Sequence, residues 1–326
     1  MQALRESPWL HRALFGGLCL ILGELIAWQG AARYGPLDWL ALWLIYSALG
    51  AAALDAIARY RVTTPSTLML VAGGFGLGHA MLTGTINISA GTQAFVVDLI
   101  LLPLGAMPLV FLVALGSLRA LLSGEAVGLR AFIGAGLVGI AWGIWLRGFN
   151  DIESITIRTT TLAENAPFVL IGLALIGLVT WAVSPQRYTN DYDWRLSPYD
   201  AVAVGLVLGV TLLLRLDAAY VDTLGASILA SLLVIITLMV VFTRNIRPAD
   251  ALTDITPPQK PHLPSWFLLG LPLLAGGGAA WEFGAGDPFF VAGMFQALLV
   301  FGTLWLPLAS AQLGVAAMAR LTQEGY

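Results

Sequence analysis

From Leu224 to Phe242 the chain runs nineteen residues without one ionisable side chain, and runs of this kind recur from one end of the sequence to the other. A helix rises about 1.5 Å per residue, so about 20 apolar residues match the ~30 Å hydrocarbon core of a bilayer. Composition makes the same point. Apolar residues form 58% of the chain and charged residues 11%, against about 45–50% and 25% in soluble domains. One globular core cannot hide that much apolar surface, whereas lipid can solvate it.

Ten segments satisfy the length rule: Ala13–Trp28, Leu37–Ala58, Thr67–Thr83, Phe95–Leu121, Leu129–Leu146, Pro167–Val183, Tyr199–Leu214, Leu224–Phe242, Trp266–Trp281 and Phe289–Ala319. The fourth and tenth are long enough to tilt. The longest connections, Arg147–Ala166, Ser184–Pro198 and Thr243–Pro264, are too short for a soluble domain. With the N-terminus inside, twelve of the sixteen Lys and Arg residues fall in cytoplasmic segments. Arg33, Arg147, Arg158 and Arg215 stay outside. That bias follows the positive-inside rule. The expected fold is therefore an all-α, polytopic integral membrane helix bundle of about ten transmembrane helices. It forms a single transmembrane domain over residues 1–326 in the plasma (inner) membrane, with both termini cytoplasmic.

Arg5, Arg12 and the small residues Gly30–Ala32 give the first run some likeness to a secretory signal. Glu24 inside the run and Trp28 at its end favour a retained helix instead. Cys19 is the only cysteine, which excludes intrachain disulfides and cysteine-built metal sites. "RESPW" (Arg5–Trp9) and "RLSPY" (Arg195–Tyr199) share serine, proline and an aromatic before a helix. This is the chemistry of an N-cap, an N1 proline and an interfacial ring.

"VAGGFGLGHAML" (Val71–Leu82) packs four glycines beside His79. A phosphate-binding loop would have to end a strand and open a helix, and this segment lies inside an apolar run. Gly74 and Gly78 form a GxxxG pair, and Ala72, Gly76 and Ala80 a parallel row, which reads as close helix packing. Similar rows occur at Gly134/Val138, Gly136/Ile140, Gly205/Gly209 and in "AGGGAA" (Ala275–Ala280).

Ionisable groups at membrane depth are costly and mark pathways or sites. The candidates are Glu24, His79, Asp98, Arg147, Arg215 and Glu282, all placed toward the outer side by the topology. Each has a plainer reading. His79 would bond to a neighbouring carbonyl or hydroxyl, Arg215 would pair with Asp217, and Glu24 or Asp98 would pair with Arg147 or Arg215. The external loop Arg147–Pro167 has a Thr-rich centre, Ser154–Thr161, that suits a hairpin or a capping helix.

Enzyme templates fit poorly. The cytoplasmic loop "RYTNDYDWRLSPYD" (Arg187–Asp200) opens like the N-D-x-x-D-x-x-x-D motif of membrane prenyltransferases at Asn190 and Asp191. Asp193 then comes one position early, and Trp194 stands where aspartate is required. No paired deep histidines serve haem, and no His/Glu spacing serves a metal, so neither metal nor cofactor is expected. "LLRLDAAYVD" (Leu213–Asp222) lacks the long external loop that lipid-linked glycosyltransferases need. In layout the chain resembles the drug/metabolite transporter superfamily, and "GEAVGLRAFIGAGLVGIAWG" (Gly124–Gly143) is similar to that family's Gly-Glu and glycine-rich fifth helix. The second half has no matching Gly-Glu.

Three readings of function follow. A permease-like bundle for a small or amphiphilic solute suits the small-residue faces and the prolines at 103, 108, 272 and 307. A membrane enzyme acting on a lipid-linked substrate would use Glu24, His79 and Asp98 as acid and base. A non-catalytic subunit of a larger membrane complex would use its eleven tryptophans at interfaces. The bilayer is the expected partner in each case, with a small-molecule or lipid-linked substrate or other membrane proteins beside it. No nucleic acid is expected.

Overall fold

Among the described residues of the computed structural model, seven helices are long and apolar enough to cross a membrane: Pro36–Tyr60, Pro65–Thr83, Val96–Leu122, Leu129–Leu146, Pro198–Asp217, Thr223–Phe242 and Ala292–Val315. The structure describes residues 8–27, 34–84, 86, 96–124, 128–151, 162–182, 193–243, 250–255, 259, 262–283 and 288–323. Among these it is helical throughout, apart from turns and one isolated bridge between Ile86 and Val221. The chain is a helical membrane protein.

Three of the ten expected spans are not among those seven. The first is α1, Pro8–Leu20, which passes into a π-helical turn at Ile21–Ala27. The sixth lies in α6, Leu162–Ala182, of which Leu162–Leu178 is counted as a shorter apolar stretch among the described residues. The ninth is divided into α9, Leu263–Leu268, and α10, Gly270–Phe283. Pro272 has no N–H to donate to the carbonyl of Leu268, and its ring crowds that carbonyl, so the helix breaks at Leu269. The other helices are α2 (Pro36–Tyr60), α3 (Pro65–Thr83), α4 (Met107–Leu122), α5 (Leu129–Asp151), α7 (Pro198–Asp217), α8 (Thr223–Phe242) and α11 (Pro288–Gln323). Cys19 is fully buried in α1.

The chain divides into two compact units. The first comprises Met1–Ser47, Val113–Tyr192 and Asp254–Gln296, and the second Ala48–Leu112, Asp193–Thr253 and Ala297–Tyr326.

In the first unit, glycine lets α5 and α10 touch backbone to backbone. A Cβ on Gly139 would strike the carbonyl of Leu273, one on Gly143 the carbonyl of Gly277, and one on Gly276 the carbonyl of Gly136. Apolar side chains have little drive to associate in lipid, so such contacts must come from close dispersion packing. Here the rows at Gly136 and Ala275–Ala280 meet each other. Gly134 has nothing within 4 Å of a built Cβ.

The second unit is organised by α3 and by a π-helical segment, Val96–Ala106, that leads into α4. Thr64 caps α3 by accepting the N–H of Thr67 at 3.3 Å, and Pro65 occupies the first turn. Ser197 does the same for α7 with the N–H of Asp200 at 3.2 Å, as the Ser-Pro-aromatic pattern predicts. A Cβ on Gly76 would run into the backbone carbonyl of Pro103, and one on Gly78 would lie 2.8 Å from Leu49 Cδ1. Gly74 faces side chains instead, Ile236 and Leu233 at 3.7 Å. Gly73 rather than Gly74 makes the other close approach, against the ring of Trp305.

Pro108 has no N–H to return to the carbonyl of Leu104 four residues earlier. Trp305 Nε1 donates to that oxygen at 2.7 Å, in a buried bond. In a bilayer no water would fill the vacancy, so the indole completes the helix from outside.

On α7, Val204 is the buried residue, while Val202, Leu206, Val210, Leu213 and Leu214 are exposed. Gly205 and Gly209 meet nothing within 4 Å of a built Cβ, so this pair is not a packing face within the chain. A helix that is apolar on every side and exposed along its length is one that lipid tails solvate.

Candidate functional site

The site begins with one carboxylate. Glu24 lies in the π turn Ile21–Ala27, at the end of α1, and is 4% exposed. π turns disturb the regular helix ladder and are frequent at functional positions. Oε1 of Glu24 accepts the hydroxyl of Tyr46 at 2.9 Å, and Oε2 lies 3.5 Å from the hydroxyl of Tyr34. Tyr46 is 1% exposed, so this hydrogen bond is buried.

Local packing holds the geometry. α1 and the first part of α2 touch where a Cβ on Gly16 would collide with the backbone of Ser47. The Trp43 indole donates to the carbonyl of Ala13 at 2.9 Å. Tyr34 meets the edge of Trp39 with ring centroids 5.4 Å apart. Trp39 and Trp43 in turn form one wall of an apolar cavity of about 470 Å³. Leu14, Gly17 and Ile21 of α1 form a second wall, and Phe168, Gly172 and Ile176 of α6 a third. All of these residues belong to the first unit. The volume lies within the ~300–1,000 Å³ of small-molecule pockets. Glu24 follows the wall residue Ile21 by three residues in the same π turn, and Glu24, Tyr34 and Tyr46 are not among the lining residues.

The other expected candidates are distributed as follows. His79 is 4% exposed on α3, and its Nε2 lies 2.8 Å from Thr83 Oγ1, one turn along the same helix. That hydroxyl also donates to the His79 carbonyl at 2.9 Å. Arg215, at the end of α7, donates to the carbonyl of Gly84, and its guanidinium lies 5.0 Å from the Tyr220 ring. Beside it Ile86 N–H donates to Tyr220 O at 2.8 Å, and Asp222 N–H to Ile86 O at 2.9 Å. Thr83, Gly84, Arg215 and Tyr220 thus tie the end of α3 to the end of α7. Asp98 is half-buried in the π segment Val96–Ala106, and Glu282 is exposed near the end of α10. Arg147 is on α5, but its side chain lies outside the described residues, as do Glu125 and the loop centre Ser154–Thr161. Glu24 belongs to the first unit, His79 and Asp98 to the second.

Of the loop compared with prenyltransferases, Asn190 and Asp191 lie outside the described residues. Asp193 accepts the N–H of Arg195 at 2.9 Å, and Trp194 is buried. Asp55 takes both Arg59 nitrogens at 2.9 Å and the N–H of Leu196 at 2.7 Å. Nearby, burial raises the carboxyl of Asp250 above its ordinary range, against the lowering effect of its hydrogen bonds from Leu252 N–H and Thr253 Oγ1. No group of His, Cys, Asp and Glu among the described residues is arranged to hold a metal.

Sequence reasoning missed Tyr34, Tyr46, Trp39 and Trp43. One signal was available: a tyrosine inside an apolar run needs an acceptor for its hydroxyl, and Glu24 is the acid in the preceding run. Comparison with protein families, curated proteins and solved structures finds no match for the chain.

Proposed function

We propose that this membrane protein is a permease-like bundle for a small, amphiphilic solute, with Glu24 as the polar group of the pathway. One observation supports the reading: a buried carboxylate on a π turn, held by Tyr46, in the same unit as an apolar cavity lined by α1, α2 and α6. An apolar pocket with few convergent polar groups is the usual form of a small-ligand site. An ionisable group at membrane depth is the usual form of a coupling or selecting element. The cavity would supply room and the acid would supply discrimination. The positive-inside bias of the sequence supports a site toward the outer side of the plasma membrane.

The test is solute uptake into proteoliposomes containing the purified chain, using a panel of radiolabelled amphiphilic amines, zwitterions and acids. Uptake of at least one class above empty vesicles, abolished by Glu24→Gln, is the expected result. Absence of uptake for every class, or full activity in Glu24→Gln, would overturn the proposal.

A further inference from the structure

In the second unit, α7 is fastened at its ends rather than along its face. A membrane helix normally keeps its place by close packing against a neighbour, since apolar side chains gain little by leaving lipid. α3 is packed in this way, buried at every position from 70 to 82 except Gly74. On α7 the buried residue is Val204. Leu206, Val210, Leu213 and Leu214 are exposed, and nothing lies within 4 Å of a Cβ built on Gly205 or Gly209. Regions with so few buried contacts are the ones that open first.

The two fastenings differ in kind. After α7 the chain turns through residues 218–222 straight into α8. Main-chain bonds bridge that turn to Ile86, whose N–H donates to Tyr220 O at 2.8 Å and whose carbonyl accepts Asp222 N–H at 2.9 Å. Asp222 caps α8 by accepting the N–H of Gly225, and Ile236 of α8 lies against Gly73 and Gly74 of α3. This end does not depend on a single side chain. Before α7 the chain is tied to α2 through Leu196. Asp55 accepts its N–H at 2.7 Å, and Arg59 Nη2 donates to its carbonyl at 3.3 Å. Asp55 also takes both Arg59 nitrogens at 2.9 Å. An acid and a base one turn apart thus satisfy both backbone groups of Leu196, as a neighbouring strand would. Trp194 and Leu196 are buried here, but the Arg59 side chain is 45% exposed, and ion pairs so open to solvent hold weakly.

From this asymmetry we infer that α7 is a hinged strap, pivoting on the turn at Tyr220 and latched at its other end by Asp55 and Arg59. Unlatched, its N-terminal end swings away from α3 into lipid while the turn between α7 and α8 keeps its place. The exposed side chains of α7 stay in lipid throughout that motion, so the latch rather than packing sets the resting position. Hinges concentrate the backbone change in a few residues at the ends of elements. Here those are residues 218–222, where Ala219 sits at a φ of 55°.

The experiment is double electron–electron resonance on the full chain in lipid nanodiscs, with nitroxides on two cysteine pairs. Tyr199→Cys with Phe242→Cys spans the ends of α7 and α8 remote from the turn, and Leu213→Cys with Leu224→Cys spans the turn itself. All four positions are exposed, and Cys19 is fully buried. The first pair should give a single narrow distance distribution in the latched protein. Asp55→Ala should raise the fraction at longer distance about tenfold, the effect of ~1.4 kcal/mol, and leave the second pair unchanged. Asp55→Asn, which keeps an acceptor for Leu196 N–H, should do so less. Arg215→Gln should alter neither pair, because the main-chain bridge at Ile86 remains. If Asp55→Ala does not fold, Arg59→Gln replaces it. Unchanged distances at the first pair in Asp55→Ala and Arg59→Gln alike would overturn the inference. So would equal broadening of both pairs, which would mark loosening of the whole unit, or release of the first pair by Arg215→Gln.

Discussion

Tyr46 and Glu24 make the bond on which the candidate site depends, and replacing the phenol is the direct probe of it. Tyr46→Phe leaves the ring in place and removes a buried donor from a carboxylate. A buried polar group left without its partner costs about 1–3 kcal/mol, so the variant should lose stability of that order, read by thermal unfolding in detergent. A second residue gives a pH signature. His11 precedes the first apolar run, is 3% exposed, and burial pushes its imidazole down to about 4. The unfolded chain would take up its proton near pH 6.5. Stability from the neutral form is thus complete above about pH 6.5 and is lost as pH falls toward 4, by up to roughly 3 kcal/mol. Unfolding midpoints measured at pH 7.5 and pH 5 should separate in the wild-type protein and draw together in His11→Gln.

Glycine and proline decide how the elements meet, and here paired substitutions separate packing from propensity. Gly76→Ala places a methyl group against the Pro103 carbonyl, while Gly205→Ala places one in open surroundings. The first should destabilise by 2 kcal/mol or more, on the order of other strained core insertions. The second should be neutral, or should gain up to about 1 kcal/mol from helix propensity. Trp305→Phe tests the same joint from the other side. It orphans the Leu104 carbonyl that Pro108 leaves unbonded, and should cost about 1–3 kcal/mol. How these features read in the sequence depends on their range. The caps at Thr64 and Ser197 are local chemistry. The α5–α10 contact was legible as two glycine rows, though not as partners of each other. The π turns at Ile21–Ala27 and Val96–Ala106 were not legible. Where nearly every residue is apolar, a change of period leaves no polar stripe to betray it. The His79–Thr83 pair, at i and i+4, was in plain view of helix geometry. Glu24 was found as a deep acid, but its partner is 22 residues away and depends on how α1 crosses α2.

For the whole molecule, charge bias predicts which loops face the cytoplasm, and the structure supplies exposed positions at which to ask. Gln259 is exposed in a segment assigned to the inside, and Asp217 in one assigned to the outside. In intact cells a membrane-impermeant maleimide should label Asp217→Cys and spare Gln259→Cys, and lysis should make both reactive. The reverse pattern would invert the topology. Such measurements normally start by removing native thiols, with the risk of damaging the protein before it has been studied. This chain holds a single thiol, Cys19, enclosed within α1 and its neighbours at 0% exposure. The unmodified protein is consequently its own blank for surface labelling. Every introduced cysteine can be read against an intact background, and slow labelling of Cys19 itself would time the opening of the helix that carries Glu24.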